Sequence, residues 1–119
     1  MKIAQSTISG TGLFADRNYQ EGYVIGIING PVVSREQATD SAIEPQPGLY
    51  IETEDPWKYI NHSCRPNLRL LGIRVIYANR DIVEGEELYL DYSDFIYDDW
   101  KMNCECHSPN CRRLVQAKL

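Results

Sequence analysis

Residues Tyr59 to Asn67 read YINHSCRPN, and the order of side chains in this stretch decides how the rest of the chain is read. An amide (Asn61), an imidazole (His62), a hydroxyl (Ser63), a thiol (Cys64) and a proline that stiffens the exit (Pro66) stand almost side by side. A loop that only faces solvent has no need of that inventory. Taken alone, Asn61 and His62 read first as polar residues bracing a loop, with contact to a ligand as the alternative.

Two later segments give the stretch a context: GEELYLDY at Gly85–Tyr92 and CECHSPNC at Cys104–Cys111. In the first, alternation puts Leu88 and Leu90 on one face and Tyr89 and Asp91 on the other. Tyr92 then ends the strand, either projecting a phenol into a cleft or lying buried with its hydroxyl satisfied. In the second, Cys104, Cys106 and Cys111 supply three soft thiolates within reach of one ion. Structural zinc takes four ligands in a tetrahedron. Cys64 is the expected fourth, which would pin the tail against YINHSCRPN. His107 is the rival, though its adjacency to Cys106 makes joint ligation awkward, and buried thiols without metal are the plain alternative. With no secretion signal in view, this cysteine distribution favours a metal over a disulfide framework.

Outward from these segments the chain is a series of short apolar runs broken by turn residues. Ile8–Phe14 contains the pair Gly10 and Gly12, Val24–Ile28 follows Glu21-Gly22, and Leu49–Ile51 follows the cluster Pro45 to Gly48. Leu68–Leu71, Ile73–Ala78 and Glu87–Tyr92 complete the set. Runs of this length and make-up predict a mainly β fold. One helix is expected from Ser34, where Ser34 and Gln37 fit a capping box, ending before Pro45. Trp57–Ile60 is expected to form a single helical turn that delivers Asn61 and His62. Gly10-Thr11-Gly12 by itself reads as a turn between strands, with close backbone approach to a ligand as the alternative; it lacks the third glycine of a dinucleotide fingerprint.

The 119 residues suffice for one core. A hydrophobic fraction of 43% with 24% charged residues is ordinary for a globular chain. No apolar run nears the roughly 20 residues that cross a bilayer, so no membrane partner is expected. The start MKIAQSTISG lacks the apolar core of a secretory signal, which points to an intracellular protein. A net charge of −5 argues against non-specific nucleic-acid binding and suits a basic peptide partner.

STISGTGLFA (Ser6–Ala15), YINHSCRPN, GEELYLDY and CECHSPNC, in that order, resemble the motifs of SET-domain protein-lysine methyltransferases. The last resembles the cysteine-rich post-SET segment of that family. The resemblance implies a SET domain over residues 1–97 and a post-SET zinc-binding segment over 98–119. It implies several small curved β-sheets with a knot-like C-terminal threading, S-adenosylmethionine on one face, and a narrow lysine channel entered from the other. By motif match, the backbone around Gly10, Gly12, Leu13 and Phe14 would line the cofactor's amino-acid portion. Asn61 and His62 would contact the cofactor, His62 chiefly through its backbone, and Leu114 would cover the adenine. Tyr92 takes the position of the catalytic tyrosine, touching cofactor and amine, and one structural zinc ion would bind Cys64, Cys104, Cys106 and Cys111.

Three departures stand against the family pattern. Ile27-Ile28-Asn29-Gly30-Pro31 lacks the tyrosine that often lines the transfer pore, so Ile28 occupies its place. Tyr50 is either a substitute phenol in the channel or a plain strand residue. Leu90 stands where Phe or Tyr is frequent, implying a permissive channel and di- or trimethyllysine as product, and His107 replaces a common glycine. The expected activity is methyl transfer to a lysine of a basic protein, a histone tail or a ribosomal or DNA-packaging protein. The alternatives are a catalytically weak or inactive module that binds a basic peptide, and a structural zinc protein. A histone substrate would imply nuclear, chromatin-associated residence; any other, the cytoplasm. Homodimerisation is left open.

Overall fold

Apolar runs of four or five residues punctuated by Gly and Pro can build only short strands, and the fold is assembled from many of them. The computed structural model describes residues 1–6, 10–95, 101–103, 109 and 111–116. In chain order the strands are β1 (Lys2–Gln5), β2 (Thr11–Phe14), β3 (Val24–Ile27), β4 (Val32–Val33), β5 (Ala42–Gln46) and β6 (Leu49–Glu52). They continue as β7 (Asn61–His62), β8 (Leu68–Leu71), β9 (Val75–Ala78), β10 (Tyr89–Leu90), β11 (Lys101–Asn103) and β12 (Leu114–Gln116). Two antiparallel pairs, β1–β2 and β11–β12, accompany two antiparallel three-stranded sheets ordered β3-β9-β8 and β4-β6-β5. The exception is β7–β10, a parallel pair with Asn61 opposite Tyr89 and His62 opposite Leu90.

The core lies where these sheets meet, around Leu13, Ile51, Leu68, Ile76, Ala78 and Leu88, none more than 1% exposed. Trp57 is drawn onto β3 because Gly26 has no side chain: a Cβ there would stand 2.7 Å from the indole ring. The mainly β architecture and the one-turn 3₁₀ segment Trp57–Tyr59, closed by Ile60 N–H donating to the Trp57 carbonyl at 3.2 Å, match the expectations from sequence.

The helix expected from Ser34 to Pro45 does not form. Its capping box does: Ser34 N–H donates to Gln37 Oε1 at 3.2 Å and Gln37 N–H donates to Ser34 Oγ at 3.3 Å. Propagation stops after that turn because Thr39 is captured by Glu52, its N–H donating to Oε1 at 2.9 Å and its hydroxyl to Oε2 at 2.5 Å. From Ala42 the chain joins β6 as an edge strand. Pro45 is tolerated there, since an edge strand needs no second row of N–H donors.

Candidate active site

The short β7–β10 pair carries more of the site than its length suggests. Asn67, fully buried, holds β10 in register: its Nδ2 donates to the Glu87 carbonyl at 2.8 Å and its Oδ1 accepts from Tyr89 N–H at 2.8 Å. Alternation along β10 sends Leu88 and Leu90 into the core while Tyr89 stays half-buried. The chain then turns through the 3₁₀ segment Tyr92–Phe95, and His62 fixes where that turn begins. Its Nδ1 accepts the Tyr92 N–H at 2.9 Å, so the ring proton sits on Nε2, 3.4 Å from Cys64 Sγ. Burial pushes the imidazole down to about 4 despite the nearby Asp91 carboxylate. A neutral His62 is therefore a structural pin, and its 3.8 Å approach to Asp91 is no ion pair.

Tyr92 is the group so placed. Its hydroxyl donates to the Ile60 carbonyl at 2.5 Å, and its ring tilts 60° against His62 with centroids 5.3 Å apart. Burial first, and the Glu87 charge second, push the phenol up to about 12, so it is protonated at any physiological pH. It lines a cavity of about 260 Å³ together with Ile28, Tyr50, Ile60, Leu90 and Phe95. The structure thus brings Tyr92, Leu90 and Tyr50 into one mainly apolar chamber, with Ile28 (1% exposed) in its wall. A lysine side chain fits such a chamber chemically: four methylenes meet apolar walls and the amine meets a phenol.

The glycine turn lies on a different part of the site. Asn61 Nδ2 donates to the Thr11 carbonyl at 3.2 Å and to Glu87 Oε2 at 2.9 Å, tying β7 to the Gly10–Gly12 segment. Gly12 lets the Glu87 carboxylate approach the backbone closely: a Cβ there would stand 2.4 Å from Oε2 and would push the carboxylate aside. Phe14 forms a bridge with Glu87, whereas the Leu13 side chain is 0% exposed and belongs to the core, leaving only its backbone for a ligand. Glu87 itself is 8% exposed and was not singled out from the sequence. Its significance is non-local, since Ser6 Oγ donates to Oε1 at 2.8 Å across 81 residues.

The tail reaches the site through Arg112. Its backbone N–H and Nε both donate to Cys64 Sγ at 3.3 Å, Nη1 donates to Ser93 Oγ at 3.0 Å, and Nη2 donates to Asp91 Oδ1 at 2.7 Å. Burial alone would raise Asp91, but the Arg112 guanidinium and the two Ser93 donors outweigh it and hold the carboxyl below its ordinary value. Val115 on β12 is 0% exposed and β12 packs on the Tyr92–Phe95 turn, while Leu114 is 41% exposed. Cys104, Cys106 and His107 lie outside the described residues. Among the described residues no group of three or more His, Cys, Asp or Glu side chains is placed to hold a metal.

Residues 10–93 match the family profile described as SET domain. Over 136 aligned positions the chain is 33% identical to "Histone-lysine N-methyltransferase trr" of Drosophila melanogaster, covering 95% of this chain and 6% of that protein. It is 48% identical over 62 residues to "Histone-lysine N-methyltransferase, H3 lysine-4 specific" of Schizosaccharomyces pombe, covering 46% of this chain and 7% of the relative. The chain therefore spans under a tenth of the length of either protein. Among solved structures, KRYPTONITE in complex with mCHG DNA and SAH superposes with a TM-score of 0.77 at 23% identity, over 95% of this chain and 28% of that one. A second KRYPTONITE complex contains an H3(1-15) peptide. At this identity the likeness establishes the fold, and it lends no support to the expectation that nucleic acid is not bound.

Proposed function

The chain belongs to the SET-domain family, and from that premise we propose that it transfers methyl groups from S-adenosylmethionine to a lysine side chain of a basic protein, a histone tail first among them. The observation that carries this reading is Tyr92, a half-buried, protonated phenol held by Ile60 and His62 at the wall of a mainly apolar cavity. The relatives' names and the SAH and H3 peptide of the KRYPTONITE complexes support the cofactor and substrate class. So does the net charge of −5, which suits a lysine-rich partner. A histone substrate would place the protein on chromatin.

The residues present fit the cofactor. Backbone and amide groups at Gly10, Gly12, Leu13, Phe14 and Asn61, with the His62 backbone beside them, would hold it, and the Glu87 carboxylate suits its positive charge. When bound, S-adenosylmethionine supplies an electrophilic methyl on a sulfonium. The protein's part is to present a neutral amine in line with that methyl. Free lysine has a pKa near 10.4, and the apolar walls formed by Ile28, Leu90 and Phe95 disfavour its ammonium form, releasing the proton to water. Tyr92 donates its own hydroxyl proton to Ile60, which leaves the oxygen's lone pairs to orient the amine. Tyr50, half-buried in the same cavity, serves as the second phenol in place of the tyrosine absent at Ile28. Leu90 leaves room for di- and trimethyllysine.

Residues 98–119 are assigned to a post-SET segment that holds one zinc ion through Cys64, Cys104, Cys106 and Cys111 and lays Leu114 over the adenine. Its support is the Arg112 N–H on Cys64 Sγ, which brings the chain immediately after Cys111 onto the YINHSCRPN stretch and suits a knot-like threading. A second reading, a weak or inactive module that binds a basic peptide, rests on Ile28 in the cavity wall. Zinc-loaded protein incubated with labelled S-adenosylmethionine and a panel of basic proteins separates the two. Label on lysine is the expected result; cofactor binding without transfer would establish the module, and no cofactor binding would sink both.

A further inference from the structure

An antiparallel sheet with one face on a core and the other in water alternates apolar with polar residues. The sheet β3-β9-β8 does not. Its inner face belongs to the core, where Leu68, Ile76 and Ala78 are no more than 1% exposed. On its outer face the register sets two rows of three residues: Val24, Tyr77 and Arg69 in one, Ile27, Val75 and Leu71 in the other. Five of these six are aliphatic or aromatic, and none carries a carboxylate. Val24, Ile27 and Leu71 are 54%, 59% and 63% exposed, and Ile73, 39% exposed, stands in the hairpin between β8 and β9. Arginine charge near the face is offset or tied down. Arg69 lies 3.7 Å from Asp94, and the Arg74 guanidinium donates to the Ile28 and Gly30 carbonyls at 2.9 Å each. A contiguous apolar face of several hundred Å² marks an interaction surface.

We propose that this face is where two copies of the chain associate, sheet against sheet. Charge selects the face. At a net −5 two copies repel one another over most of their surface, whereas these rows present no carboxylate. Symmetry agrees with it. A two-fold axis along β9 lays β3 over β8 of the second copy, the aligned packing of two sheets. Ile27 then meets Leu71 of the second copy, and Val24 meets the aliphatic stem of its Arg69, so the two Arg69 charges stay apart. Area sets the strength: doubled across the axis, the face comes to roughly 1,000 Å², the low end of specific interfaces, and the dimer is a weak one. None of these side chains lines the Tyr92 cavity, so two copies can associate whatever reaction that cavity serves.

Sedimentation velocity on the zinc-loaded full chain over roughly 5–500 µM, the range that populates a weak complex, should show a reversible monomer–dimer equilibrium. Raising salt from about 50 to 500 mM should hold or tighten it, since salt screens the repulsion and not the apolar contact. Ile27→Glu and Leu71→Glu should each weaken association by about tenfold or more, because symmetry buries the new carboxylate twice. They stand on opposite edges of the sheet, so one decides the matter if the other fails to fold by circular dichroism. Val32→Glu, at a position 58% exposed on β4 in the other three-stranded sheet, should leave association within about threefold of wild type. A wild-type chain that stays monomeric throughout overturns the proposal and gives the face to a further domain or another protein. A dimer that dissociates as salt rises, that survives both face substitutions, or that Val32→Glu weakens as much as they do, overturns it too.

Discussion

Replacing Arg112 by alanine should loosen the tail from the body of the protein, and the structure gives the scale. The variant loses three side-chain donations, of which the one to Asp91 at 2.7 Å matters most, because Asp91 is 8% exposed and is left without its cation. A hydrogen bond to a charged group contributes about 1.5–3 kcal/mol. Arg112 itself is 37% exposed in its side chain, so solvent screening takes part of that back and about 2 kcal/mol remains. At 1.36 kcal/mol per tenfold this is roughly a 30-fold shift toward the open tail. Hydrogen exchange at the β12 amides around Val115, measured at neutral pH, should therefore quicken by roughly that factor. The pH dependence has a sign. Asp91 is held below its ordinary value in the folded state, so its stabilisation is complete above the unfolded carboxyl value of about 4 and disappears as the pH falls through the lower folded value. The difference between wild type and Arg112→Ala should be flat from pH 5 to 8 and shrink below about pH 4. Less than a threefold change at pH 7, or a difference that grows in acid, would refute the reasoning.

Tyr92→Phe should lower turnover by about 100-fold, the scale of losing one preorganised polar group, while S-adenosylhomocysteine affinity stays within threefold; undiminished turnover would remove Tyr92 from the mechanism. Because the phenol is pushed up to about 12, the rate should rise with pH as lysine deprotonates and show no falling limb that tracks Tyr92 near pH 10. Leu90→Phe adds bulk to the cavity and should shift product toward monomethyllysine, and mass spectrometry finding only monomethyl product from wild type at completion would defeat the permissive-channel reading. Cys64→Ser should lower zinc stoichiometry and weaken cofactor binding together; if both survive, Cys64 is no zinc ligand.

Local chemistry was legible in the sequence where the partners are close along the chain. Ser34 and Gln37 make the reciprocal bonds of a capping box as their three-residue spacing predicts. Trp57–Ile60 closes the single turn expected after Pro56. What failed was length: the turn at Ser34 could not grow into a helix because Glu52, thirteen residues away from Thr39, took that residue's donors. Tertiary pairing outweighed a local propensity worth a few tenths of a kcal/mol per residue.

By itself, the sequence determined a mainly β chain of short strands and the SET-domain family, and it pointed to a candidate site at a glycine turn, YINHSCRPN and a strand that ends in tyrosine. Only the tertiary structure decided what those groups face. It turned the His62 imidazole inward to the Tyr92 N–H, thirty residues on, and so made it a pin. It set Ile28, Tyr50 and Leu90 around one cavity with Tyr92. It also drew Glu87 to Ser6, and Arg112 to Cys64 across 48 residues. The physical reason is that residue type sets what a group can donate, accept or bury, whereas its charge state and partner depend on burial and on neighbours brought in from distant parts of the chain.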